Sequence, residues 1–148
     1  MVKTEYWEFK PDWRQYVLER WEGRGRVEQI KDDSLSDFRE AAKQAFIRQG
    51  FPVKQVKTWI NCMVPEDGEG YSTGYPHVHY PLTGLTLVHY LDTGEGDTTL
   101  DIFDGDKVVE RVHPEQGLTV FMPNDLKHGV HRNTGSKKRL ALIATALR

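Results

Sequence analysis

The chain has 148 residues, 38% of them hydrophobic, with 20 basic and 22 acidic side chains and a net charge of −2. That length is ordinary for one domain with a buried core, and the balanced charge argues against a surface built for nucleic acid or an anionic membrane. Cys62 is the lone cysteine, which excludes an intrachain disulfide and points to a cytoplasmic chain. No apolar run approaches the length of a membrane span, and no signal-peptide core is seen.

Residues 1–50 read as helical. Pro11 and Asp12 suit a first turn. Trp13, Tyr16, Val17 and Trp21 recur at helical spacing, and Gly23 and Gly25 end the run. A second helix is expected from a capping box at Ser34 and Asp37. Leu35, Phe38, Ala41, Ala42, Ala45 and Phe46 form its apolar face, and Gly50 stops it. After Pro52 the hydrophobic period falls from 3.6 to 2. Strands are expected over 56–64, 85–91, 98–103, 107–112, 118–122 and 139–146. Residues 65–74 form a polar, glycine-rich loop, and Asp104-Gly105 marks a hairpin turn. Short strands at this spacing predict a mainly β fold, a double-stranded β-helix (jelly roll) with both helices packed on one sheet. We expect a single domain over 1–148, with 1–50 as helical support and 51–148 as the jelly-roll core.

All six histidines lie at or after residue 77. In a strand, His77 and His79 of His77-Val78-His79 point to one face, and two imidazoles on one face can reach one metal ion. His128 follows a second strand and a Pro123-led turn, and a barrel can bring it beside the first pair. Two ligands from one segment and a third from another leave coordination positions open, as a catalytic metal requires. Arg139 opens the last strand. A guanidinium pointing into a barrel calls for an anion, and bidentate pairing with a carboxylate is its natural use. His89 reads as packed within its strand, His113 as a loop residue and His131 as exposed. Cys62 reads as a small buried apolar side chain. Trp59 can face either way.

In this order the segments resemble the iron(II)/2-oxoglutarate-dependent oxygenase superfamily. They are His77-Val78-His79, Tyr90-Leu91-Asp92, Gly96-Asp97-Thr98-Thr99, Pro114-Glu115-Gln116-Gly117, His128-Gly129-Val130 and Arg139-Leu140-Ala141-Leu142. With Trp59-Ile60-Asn61 ahead of the glycine-rich loop, they are similar to a small variant with His-x-His for the usual His-x-Asp. The resemblance spans about residues 56–146. It implies iron(II) held by His77 and His128, and by His79 if that ring replaces the usual carboxylate. It also implies 2-oxoglutarate as cosubstrate, with Arg139 on its distal carboxylate, Tyr90 on the same carboxylate and Asn61 beside it. The implied reaction is oxidative decarboxylation of 2-oxoglutarate to succinate coupled to hydroxylation of a small-molecule or peptide substrate entering over the 65–74 loop. Asp92, Asp97 and Asp101 are candidates for the missing carboxylate. Two alternatives remain open. One is a three-histidine, cupin-like metalloenzyme without 2-oxoglutarate, since residues 117–128 also resemble the second cupin motif. The other is a non-catalytic ligand-binding jelly roll. Oligomeric state is left open by the sequence.

Overall fold

The computed structural model describes residues 2–20, 26–65, 70–72, 75–93 and 98–148. Its elements in chain order are β1 (Lys3–Tyr6), α1 (Pro11–Arg20), β2 (Arg26–Ile30), α2 (Ser36–Arg48), β3 (Gln55–Met63), β4 (Leu85–Asp92), β5 (Leu100–Asp104), β6 (Lys107–Val112), β7 (Leu118–Pro123), β8 (His128–Val130) and β9 (Arg139–Leu147). A major sheet of order β1-β7-β4-β9-β3-β2 faces a minor sheet of order β6-β5-β8. All pairings are antiparallel. This is the expected double-stranded β-helix, with both helices against the outer face of the major sheet. Among the described residues no helix is long and apolar enough to cross a membrane.

The alternation of β3, β4 and β9 sorts their side chains into two cores. Ile60, Cys62, Leu87, Leu91, Leu140 and Leu142 face the helices, where Trp13, Val17, Phe38 and Phe46 meet them. Val88, Tyr90 and Ala141 face the minor sheet and join Leu100, Ile102 and Val112. Cys62 is buried on the helix side, as expected, and burial pushes its thiol up to about 11.

Three expectations need correction. Residues 1–50 are not wholly helical, because β1 and β2 flank the major sheet. Both are short, polar edge strands without a repeating apolar pattern. The capping box does not form. Leu35 is the N-cap, in a left-handed conformation at φ 55°, with no side-chain cap. Asp32 accepts the Ser34 N–H instead, and Asp37 accepts Trp13 Nε1 at 3.0 Å. A missing cap costs about 1 kcal/mol, whereas each buried Phe contributes about 1.5–3 kcal/mol, so packing holds α2. The third is β8, which is missing from the expected strands and adds one to the minor sheet. Trp21, Gly23 and Gly25 lie outside the described residues.

Gly117 joins the sheet to the N-terminal arm. Its φ is +87°, and a Cβ there would stand 2.7 Å from the Trp7 carbonyl oxygen. Trp7 N–H in turn donates to the Gly117 carbonyl at 2.9 Å.

His89 is fully buried on the helix side. Its ring lies 5.0 Å from that of Trp7 and 5.5 Å from that of Trp13, and Nδ1 is 2.8 Å from Thr119 Oγ1. Burial among aromatic rings pushes its pKa down to about 4. The unfolded chain therefore binds a proton below about pH 6.5 that the folded chain refuses. Stability contributed by neutral His89 is present above that pH and is lost on acidification toward pH 4, by about 3 kcal/mol. Urea unfolding of wild type and His89→Phe at pH 7 and pH 4 should show that much less acid sensitivity in the variant. Equal sensitivity would assign the acid response to other groups.

Candidate metal centre

The segment carrying His77 and His79 lies beside β8 and is fastened to it through the backbone. His77 N–H donates to the His128 carbonyl at 2.8 Å, and His128 N–H returns to the His77 carbonyl at 2.9 Å. His79 N–H donates to the Asn124 carbonyl at 2.8 Å. Asn124 is itself fixed, accepting the Thr86 hydroxyl at 2.6 Å and donating Nδ2 to the Pro81 carbonyl at 2.9 Å. These bonds bring together the three histidines singled out in the sequence. One ring nitrogen from each lies within 4.8 Å of the others, and this is the one such cluster among the described residues.

The ring chemistry suits a cation. Nδ1 of His128 faces the Leu126 carbonyl at 2.9 Å. A carbonyl only accepts, so Nδ1 carries the proton and Nε2 of the neutral ring keeps its lone pair. Burial pushes His128 down to about 4, and the neighbouring His79 and His77 rings add to this against the opposing Leu126 bond. Burial also lowers His77, partly offset by the Tyr75 backbone, and lowers His79, where His77 contributes. The Nε2 atoms of His79 and His128 are 2.9 Å apart. Two nitrogens bound to one ion at right angles, each about 2.1 Å from it, would be about 3.0 Å apart. Three neutral imidazoles at this spacing could hold a divalent transition metal.

These rings open into a cavity of 140 Å³ lined mainly by apolar side chains, among them Val88, Leu100, Val130 and Ile143. Asn61, Met63, Ser72, Thr86, Tyr90 and Arg139 also line it, with no Asp or Glu among the described residues. Arg139 is 2% exposed, unlike the exposed Lys137 and Lys138 before it. Nη1 donates to Met63 Sδ at 2.9 Å and Nη2 to Asn61 Oδ1 at 3.2 Å, while Nε is buried without a partner. Its guanidinium lies 5.2 Å from the centre of the Tyr90 ring. Burial lowers its pKa. Asn133, bound to the Met63 and Lys137 carbonyls at 3.0 and 2.7 Å, ties down the turn that delivers Arg139. Arg139, Tyr90 and Asn61 therefore share one wall. Met63 shares that wall too. In the sequence, only its two-residue spacing from Asn61 in β3 signals this.

None of the described candidate carboxylates joins the imidazoles. Asp92 accepts from Arg14 at 3.0 Å. Asp101 points away from the cavity, on the outer face of β5. It accepts Arg111 Nε at 2.8 Å, His131 Nε2 at 2.8 Å and the Tyr71 hydroxyl at 2.9 Å. These hydrogen bonds outweigh burial and hold Asp101 down at about 2. His131, expected to be exposed, is half-buried and serves this cluster instead. Asp97 lies outside the described residues, as do Gly96 and positions 66–69 and 73–74 of the expected entry loop. Within that loop, Ser72 reaches the cavity and its N–H donates to the Val130 carbonyl at 2.8 Å. Tyr71 packs so closely that a Cβ on Gly129 would stand 2.8 Å from its ring.

A larger open cleft of 680 Å³ lies between α1 and β2, with Tyr16, Arg20 and Trp59 on its walls. No metal-ligating cluster is found there among the described residues; the one that is found opens into the smaller cavity.

No protein-family model and no curated protein matches this sequence. Among solved structures, the chain is similar to a prolyl-4-hydroxylase from Pseudomonas putida, with 17% identity and a TM-score of 0.70, covering 99% of this chain and 92% of that one. It is also similar to HygX from Streptomyces hygroscopicus with nickel and 2-oxoglutarate bound, with 12% identity and a TM-score of 0.70 over 98% and 82% of the two chains. A third is a prolyl hydroxylase from Trichoplax adhaerens in complex with a hypoxia inducible factor peptide fragment, with 11% identity and a TM-score of 0.68 over 99% and 83%. At these identities the likeness is one of fold. At that level it bears out the resemblance to the iron(II)/2-oxoglutarate oxygenases.

A buried cation surrounded by a thioether, an amide and a ring is poorly compensated. Replacing such a charge by an apolar side chain of similar length is commonly neutral or stabilising. Arg139→Met should therefore melt at the same temperature as wild type or higher. A fall of more than about 3 °C, roughly 1 kcal/mol for a domain of this size, would show that the guanidinium holds the strands together.

Proposed function

We propose that this protein is an iron(II)- and 2-oxoglutarate-dependent oxygenase of the hydroxylase type. The observation that carries the reading is the shared cavity. Three neutral imidazoles converge at one part of it, and at another stands a buried guanidinium with no acidic side chain beside it among the described residues. His77, His79 and His128 would hold the ion. Arg139 would pair with the distal carboxylate of 2-oxoglutarate, exchanging weak neutral contacts for a charge-assisted fork. Asn61 and Tyr90 would flank that carboxylate. When bound, iron and 2-oxoglutarate supply the dioxygen-activating chemistry, the cosubstrate leaving as succinate and carbon dioxide.

The chain's own part is binding, orientation and the exclusion of water. Leu126 and Asn124 fix the rings of the ligand set through the backbone. Val88, Leu100, Val130 and Ile143 keep the cavity dry. Three uncharged ligands leave the full charge of a divalent ion, which favours a dianionic cosubstrate. A small-molecule or peptide substrate fits this reading, and the peptide bound by the Trichoplax protein supports it.

His79 in place of a carboxylate favours a second reading, a cupin-like three-histidine metalloenzyme that does not use 2-oxoglutarate. Anaerobic addition of iron(II) and 2-oxoglutarate separates the two. The oxygenase reading expects a weak visible charge-transfer band, succinate after admission of air, loss of the band in His128→Ala, and 2-oxoglutarate binding weakened at least about thirtyfold in Arg139→Met. A metal-loaded wild type without band or succinate would leave the second reading standing. A band that persists in both variants would remove the assigned residues from the site.

A further inference from the structure

The minor sheet has one covered edge and one open edge. On the β8 side, backbone bridges to Tyr71 and His77 continue the sheet. On the other side, β6 has no strand beyond it among the described residues. Val108 and Val109 are 41% and 46% exposed there. An open strand presents unpaired N–H and C=O groups to any further strand that fits.

The sequence and the bulge decide which strand fits. Residues 106–111 read Asp-Lys-Val-Val-Glu-Arg, so reversing their order exchanges acid for base at each charged position. Self-pairing also requires facing residues to point to the same side of the sheet. In a regular strand Lys107 and Glu110, three apart, point to opposite sides. Here Ile102 pairs with Glu110 and Phe103 with Val108, so Val109 is an extra residue. Ile102 and Phe103 point to opposite sides, and their partners Glu110 and Val108 therefore do too. Lys107 then shares a side with Glu110. The bulge supplies the parity that a two-fold arrangement needs.

We propose that β6 is a self-association edge. Two copies of this chain pair antiparallel through β6 about a two-fold axis at Val108, joining their minor sheets. Lys107 stands opposite Glu110 of the second copy, and Glu110 opposite Lys107 of the second copy. Asp106 lies in the turn before β6, beside Lys127, and Arg111 is held by Asp101, so the Lys107–Glu110 contacts carry the complementarity. Oppositely charged facing pairs stabilise a sheet and like charges destabilise it. Neither Lys107 nor Glu110 forms an ion pair within its own chain among the described residues. A bulge and a lysine ordinarily shield an edge. On this edge they repel a foreign strand and accept a second copy of the same one. So short an edge offers little area against the ~1,200 Å² of a standard interface, so a weak dimer is expected.

Sedimentation velocity across micromolar to near-millimolar concentration tests this. Wild type should pass from monomer to dimer, while Lys107→Glu and Glu110→Lys should each remain monomeric. An equimolar mixture of the two variants should associate, because both contacts in the mixed dimer again join opposite charges. A wild type that stays monomeric throughout, a dimer that survives in both single variants, or a mixture that fails to associate would each overturn the proposal.

Discussion

The paired backbone hydrogen bonds between His77 and His128 are the contact on which the site depends. The His77-Val78-His79 segment lies outside the long strands, and this bridge sets its distance from β8. Because peptide groups make the attachment, with the Asn124 carbonyl adding a third bond at His79, the imidazoles are left free to face the cavity. Their positions are set before any ion arrives. Preorganisation of this kind separates a usable ligand set from histidines that happen to lie near one another.

Arg139 shows the opposite economy. Its surroundings in the folded chain compensate its charge poorly, yet the chain holds it in place through Met63, Asn61 and the Asn133 turn. Local rules broken without a structural gain tend to mark functional positions. Asp101 is the instructive contrast. It is equally buried, but Arg111, His131 and Tyr71 surround it, and it serves to fasten the stretch around Tyr71 to the back of β8. Burial alone does not distinguish the two residues. The charge of the partners does: Asp101 meets the Arg111 guanidinium, whereas Arg139 meets neutral groups among the described residues.

Much of this was legible in the sequence because it rests on periodicity. β3 alternates, the α2 face repeats at helical spacing, and a His-x-His pair declares one face wherever it is extended. The rest depends on contacts between distant residues. β1 and β2 are edge strands with few apolar positions, so no pattern separates them from a polar helix or loop. Ser34 lost its expected role because Asp32 sits two residues earlier, and Asp37 turned toward Trp13 in another helix. His131 looked like a surface residue because its partner lies 30 positions away in β5. The burial of Arg139 was likewise invisible beside two exposed lysines.

The alternation that divides the two cores also restricts how this chain can diverge. Along β9, Arg139, Ala141 and Ile143 belong to the cavity side, while Leu140, Leu142 and Ala144 belong to the helices. Inserting or deleting one residue inside such a strand turns over every side chain beyond it. In β9 that would present Leu140 to the cavity side and drive a guanidinium beneath α1 and α2. Replacement one position at a time can reshape the cavity without disturbing the helices. Changes of length must be confined to the connections between strands.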